Sequence, residues 1–270
     1  MTVPNSRLLI SVAMVICLGF PSGNANAADT DPDGALYRPS ADALADVQQA
    51  IDRARDSGRR VLVVLGANWC HDSRALAKRL NQSPLTEVVQ EHYELVLVDV
   101  GFYENGREVV QQFGVPHYYA TPTVLIIEPS TGHLVDNEER HRWGNAYRIS
   151  MSDSVEYFEK WAADRPAPAP EADSAELKEL YAEIDKFERQ MAERVAAGYA
   201  VVGPMLAAYK ADNAPADFDA SWDELSAFRN SIPGDVRMLR EEARRRVAAG
   251  ESEIELTYPE YSPLSWESED

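Results

Sequence analysis

Thiols are nearly absent from this chain: two cysteines in 270 residues, and one of them, Cys17, falls in a segment expected to be removed. Basic residues are scarce too, 26 lysines and arginines against 45 acids, for a formal net charge of −19. A surface that acidic repels nucleic acid and anionic lipid, which argues against both as partners. Among the five histidines, His92, His133 and His141 are scattered without metal-ligand spacing. The apolar run Leu8–Phe20, about a dozen residues, is short for a bilayer span.

That run instead completes a secretory signal over residues 1–27, with Arg7 as the positive region before it and Ala25-Asn26-Ala27 as the small-residue cleavage site. Lipid attachment at Cys17 is not expected, because Ile16 stands where lipoprotein signals carry a small residue. The expected location is periplasmic or secreted, with no membrane contact after cleavage. Removal of the signal takes Arg7 away, brings the net charge to −20 and leaves Cys70 as the single thiol. No internal disulfide is then possible. In an oxidising compartment a lone cysteine is either buried and inert or exposed and able to form mixed disulfides.

The position of Cys70 favours the second alternative. The apolar run Val61-Leu62-Val63-Val64-Leu65 leads into Trp69-Cys70-His71-Asp72-Ser73, and a helical pattern follows. The first amides of a helix have no intrahelical acceptor and carry partial positive charge, which biases a thiol there toward thiolate. Ser73 stands where a second cysteine would complete C-x-x-C, so Cys70 has no neighbouring resolving thiol.

Along the chain, the Pro/Ala stretch in residues 164–173 reads as a semi-rigid spacer between two parts. Before it, helices and strands alternate over residues 36–163. Ser40 opens a helix that ends near Gly58, and the strands are Val61–Leu65, Leu95–Val98 and Thr123–Ile127. Ser130-Thr131-Gly132 is a turn before a partner strand, His133–Asp136, and a closing helix carries Val155, Phe158 and Trp161. Residues 174–250 read as a small all-α module in which Asp173 with Glu176 starts one helix, Ser221 with Glu224 a second, and Pro233 sits in the first turn of a third. The tail 251–270, with seven acids and no base, is expected to be disordered. The class is α/β, a mixed sheet flanked by helices, followed by the all-α module.

The strand running into Trp69-Cys70 at a helix start, the Thr121-Pro122 step before the third apolar strand, and the order of elements around them resemble the thioredoxin superfamily over about half of the mature chain. The resemblance implies a thioredoxin-like fold, a cis Pro122 lying against the active cysteine, and a Thr121 backbone presented to an extended substrate segment. It also brings the loop bearing His117 near Cys70, with Tyr118 and Tyr119 as a rim for peptide or as packing. Two departures stand together: Ser73 replaces the resolving cysteine, and Val64 replaces the buried acid six residues before the nucleophile. Without a resolving thiol there is no second half of dithiol exchange for that acid to serve.

Cys70 is therefore the candidate nucleophile. Ser73 is a candidate donor to its thiolate, and His71 a neighbour whose titration near neutrality would make reactivity depend on pH. Trp69, Thr121, Pro122 and His117 are the candidate substrate contacts. The expected chemistry is mixed-disulfide formation, isomerisation or deglutathionylation with exported protein thiols or disulfides, or with glutathione, and no cofactor. A soft metal held by Cys70, His71 and His117 is a minor alternative. The main alternative is a non-catalytic interaction or chaperone module of the cell envelope.

Overall fold

The computed structural model describes residues 35–136, 139–165 and 174–267. The expected signal segment, residues 1–27, and most of the spacer lie outside them. Three strands form one mixed sheet: β1 (Arg60–Gly66) lies between β2 (Tyr93–Asp99), to which it is parallel, and β3 (Thr123–Ile127), to which it is antiparallel. The register sets Val63 opposite Val96 on one side and Leu125 on the other.

Every residue of β1 is buried, as a central strand covered on both faces requires. Successive side chains point to opposite faces of a strand, so Val61, Val63 and Leu65 pack with α1 (Ala43–Ser57) and α4 (Arg107–Gln112). Leu62 and Val64 pack on the opposite face with α2 (His71–Leu80), α3 (Leu85–His92) and α5 (Met151–Lys160). Asp42 caps α1 by accepting from the Ala45 amide at 2.9 Å, and Ser40, two residues earlier, supports it by accepting from the Asp42 amide at 3.1 Å. The expected fourth strand is reduced to a single bridge between Ile127 and Leu134, because the chain turns away into a 3-10 segment, Arg140–Arg148, that sequence periodicity did not announce. Arg60 closes the domain: its buried guanidinium donates to the carbonyls of Trp161, Ala162 and Arg165 at 3.0, 2.9 and 2.8 Å.

Two long helices follow, α6 (Ala175–Lys210) and α7 (Phe218–Ala248). The expected third helix starting at Pro233 does not exist, since Pro233 lies inside α7. An interior proline removes one helical hydrogen bond and costs about 3 kcal/mol. Burial of Ile232, Val236 and Leu239 on either side of it holds the helix continuous. The pair is not a free appendage, because Val195, Tyr199, Val202 and Leu225 share one apolar core with Val100, Tyr103 and Tyr118 of the first domain. The tail also departs from expectation. Residues 251–267 pack along the helices through Ile254, Leu256, Tyr258, Tyr261, Leu264 and Trp266, apolar positions interleaved with the acids. Arg194 clamps the tail's end with paired 2.7 Å hydrogen bonds to both oxygens of Glu267. Among the described residues no helix is long and apolar enough to cross a membrane.

Candidate active site

β1 ends at Gly66, and the turn Ala67–Trp69 delivers Cys70 as the N-cap of α2, in extended conformation (φ −84°, ψ 123°). The Cys70 amide donates to Ala67 at 3.2 Å and its carbonyl accepts the first helical bond from Arg74 at 3.1 Å. Its side chain makes no capping bond. The thiol, partly exposed, instead donates to the Thr121 carbonyl at 3.2 Å. The Thr121–Pro122 bond is cis, and a second cis bond, Ser83–Pro84, precedes α3.

Beneath the turn lies Tyr37, which the sequence reading did not single out. Its ring occupies the space a Cβ at Gly66 would need, at 2.5 Å, and its hydroxyl donates to the Ser73 carbonyl at 3.1 Å. Asn68 fastens this segment by accepting from the amides of Leu36 and Tyr37 at 2.9 and 3.0 Å and donating back to the Tyr37 carbonyl at 2.6 Å. Burial, and then the charge of an ionised Cys70, hold the Tyr37 hydroxyl far above the usual phenol range, so it stays a neutral donor. Val64, standing where the thioredoxin pattern carries a buried acid, is fully buried in the apolar core on this face.

Ser73 is 0% exposed and its hydroxyl has no hydrogen-bond partner among the described residues. The expected bond from Ser73 to Cys70 is thus not made in this state, where the sulfur is engaged by Thr121. His71 points outward, its side chain 63% exposed, with Nε2 at 3.3 Å from Asp72 Oδ2. The other Asp72 oxygen accepts from the Tyr147 amide at 2.8 Å, which ties the 3-10 segment to the first turn of α2.

On the opposite side Trp69 donates its indole N–H to the Gly101 carbonyl at 2.7 Å and packs on Phe102, Tyr103 and, from α7, Trp222. Arg229, 8% exposed, lies behind them. It donates to the hydroxyls of Tyr103 and Tyr199 at 2.9 and 3.2 Å and sits over the rings of Tyr103, Tyr199 and Trp222 at 5.4, 5.7 and 5.4 Å. The signal for this contact was a helical face, Trp222-Leu225-Arg229-Ile232, whose partner local periodicity cannot name.

His117 requires correction as a substrate contact. It is 3% exposed, its Nδ1 is 3.0 Å from the Tyr118 carbonyl, and its ring lies edge-on to Tyr118 and Tyr199. Burial pushes it down to about 4, so at neutral pH it is an uncharged packing group. Tyr118 and Tyr119 are likewise buried under α6 rather than forming a rim. Among the described residues no group of three or more His, Cys, Asp or Glu is placed to hold a metal ion, and Cys70, His71 and His117 form no such group.

Residues 42–129, from the cap of α1 to just past β3, match the family model described as thioredoxin-like. Among solved structures, a disulphide isomerase from Xylella fastidiosa Temecula1 is similar at 30% identity, over 46% of this chain and 95% of that one, with a TM-score of 0.43. No curated protein matches. With a strand-to-helix turn carrying Cys70, a proline turn against its sulfur, and the thioredoxin-like family model matching residues 42–129, the α/β part of the chain is a thioredoxin-like domain of the thioredoxin superfamily.

Proposed function

We propose that this protein is an exported, periplasmic or secreted, monothiol exchange protein in which Cys70 forms mixed disulfides by attacking disulfides of exported proteins, mixed protein–glutathione disulfides or glutathione disulfide. The observation that carries this reading is the partly exposed thiol at the N-cap of α2, set against the Thr121 carbonyl. A thioredoxin-like domain supports thiol–disulfide exchange at the level of the family. The sulfur of Cys70 attacks one sulfur of a partner disulfide. A new S–S bond forms, the old one breaks, and the departing sulfur leaves with the electron pair, so the step is redox-neutral. With serine at position 73, release falls to a second thiol on the partner or to a small thiol in solution.

Trapping of disulfide-linked adducts from an envelope extract tests the proposal. Wild type is expected to yield adducts that reductant releases, and Cys70→Ser none. Ser73→Cys is expected to shorten their lifetime, because a thiol there attacks the Cys70 sulfur and expels the partner. Partners that co-purify with Cys70→Ser without a disulfide, together with the absence of adducts from wild type, favour the non-catalytic module. The observation on that side is the covering of the Trp69 flank by α7.

A further inference from the structure

The two sides of Cys70 are built differently, and the difference bears on which substrate the thiol meets. The Trp69 side is closed by Phe102, Tyr103 and Trp222, leaving little for a substrate to displace without undocking α7. The His71 side is open. Tyr147 is 68% exposed, the most exposed of the large apolar side chains described, and its ring lies 5.4 Å from the equally outward His71 ring.

This pair is presented on a fixed support rather than on a loose loop. Asp72, a buried residue of the C-x-x-S motif, holds the Tyr147 amide with one carboxylate oxygen and faces His71 with the other. Arg79 of α2 donates to the carbonyl of Ala146 through both terminal nitrogens at 3.2 Å. Trp143, fully buried, anchors the same segment against Tyr157 and Phe158. Gly144 lies so close to the turn before Pro122 that a Cβ there would come within 2.8 Å of the Ala120 side chain. The segment therefore bridges the two backbone stretches that flank the thiol, the first turn of α2 and residues 120–122. Aromatic side chains on a fixed backbone have few torsions to order on contact, and an aromatic–aromatic contact contributes about 0.5–1.5 kcal/mol beyond burial.

We propose that Tyr147, with His71, is the specificity-determining contact of this site, selecting extended polypeptide segments that carry a bulky apolar or aromatic residue next to the reacting cysteine. The inference rests on the exchange reading above and adds its substrate class. Glutathione, with glycine on one side of its cysteine and a charged γ-glutamyl group on the other, offers no apolar side chain for the two rings to hold, so a peptide substrate is favoured over it.

The test uses the mature chain and two synthetic peptides whose single cysteine is joined to 5-thio-2-nitrobenzoate, one with phenylalanine on each side and one with glycine. Cys70 attacks the peptide sulfur, the peptide–Cys70 bond forms, and the coloured thiolate leaves with the electron pair, so its release gives the rate. Wild type is expected to prefer the phenylalanine peptide by about 2- to 10-fold. The ratio should fall to about one in Tyr147→Ala and persist in Tyr147→Phe. A wild-type ratio near one, or a ratio unchanged by Tyr147→Ala, overturns the inference. A separate arm needs no exchange: the S-methylated phenylalanine peptide is titrated into Cys70→Ser and followed by NMR. Shifts centred on Tyr147 and His71 support the contact, and their absence overturns it. If wild type releases no coloured thiolate from either peptide, it is the exchange reading that falls, and the binding arm still decides the role of Tyr147.

Discussion

The sheet core of the thioredoxin-like domain and the surface on which α6 and α7 dock are both buried, yet they are specified by different chemistry. The first is aliphatic at the strands, where Leu62, Val64, Leu76, Leu80, Val124 and Ile126 cover one face of the sheet; the rings around them carry few polar atoms and no charge, and the Tyr93 hydroxyl donates to the Phe158 carbonyl at 2.6 Å. The second is aromatic and charged. It buries Arg229 among three rings, and Glu188 with Tyr119 at 3.3 Å and Arg240 at 4.0 Å, where burial pushes the Glu188 carboxyl up despite the nearby arginines. Aliphatic packing tolerates exchange of one hydrophobe for another of similar volume. Buried polar groups lose their compensation when one partner goes, which makes the docking surface the part that point changes and pH can unsettle.

Four measurements sharpen that contrast. The largest effect is expected in the sheet, where Leu62→Ala leaves a cavity and lowers unfolding free energy by about 2–5 kcal/mol, read by denaturant titration, independently of pH. The next belongs to His117, whose folded pKa of about 4 lies below the ordinary 6.5. Its stabilisation is therefore complete above pH 6.5 and declines as pH falls toward 4, by about 3 kcal/mol. Asp136, pushed up to about 7 by burial, works in the opposite direction over part of the same range. The difference between wild type and His117→Asn across pH 7 to 4 isolates the histidine, and a constant difference contradicts its assignment. Arg229→Met keeps the volume but leaves the Tyr103 hydroxyl without that donor, for an expected loss of about 1–3 kcal/mol and faster proteolysis within α7. The smallest effect is Glu267→Gln at the tail, about 1 kcal/mol at neutral pH. Hydrogen bonds from Arg194 hold that carboxyl below the usual carboxylate range, so its contribution, complete above that range, is lost as pH falls below it through the lowered folded value. Hydrogen exchange over residues 251–267 should report it.

The same contrast explains what could be read from the chain alone. Strands β1, β2 and β3 announce themselves as uninterrupted apolar runs, and Cys70 is placed by the strand-to-helix turn that follows one of them. Those signals are local. What stayed illegible depends on pairing across long separations: Tyr37 under Ser73, Tyr147 over Asp72, and Trp222 and Arg229 of α7 against Trp69 and Tyr103. The cover over His117 is invisible from its neighbours, because Tyr199, which packs on its ring, lies some eighty residues on. In the tail the run of acids masks the spaced apolar residues that dock it, so charge alone points to disorder where packing decides otherwise.

The central claim, that the Cys70 sulfur is reachable and exchanges in the folded protein, is tested most directly by incubating the native mature chain with glutathione disulfide and measuring intact mass and the modified peptide. One glutathione on Cys70, removable by reductant and formed without denaturant, is the expected result. A thiol that stays unmodified until the protein is unfolded would contradict the account.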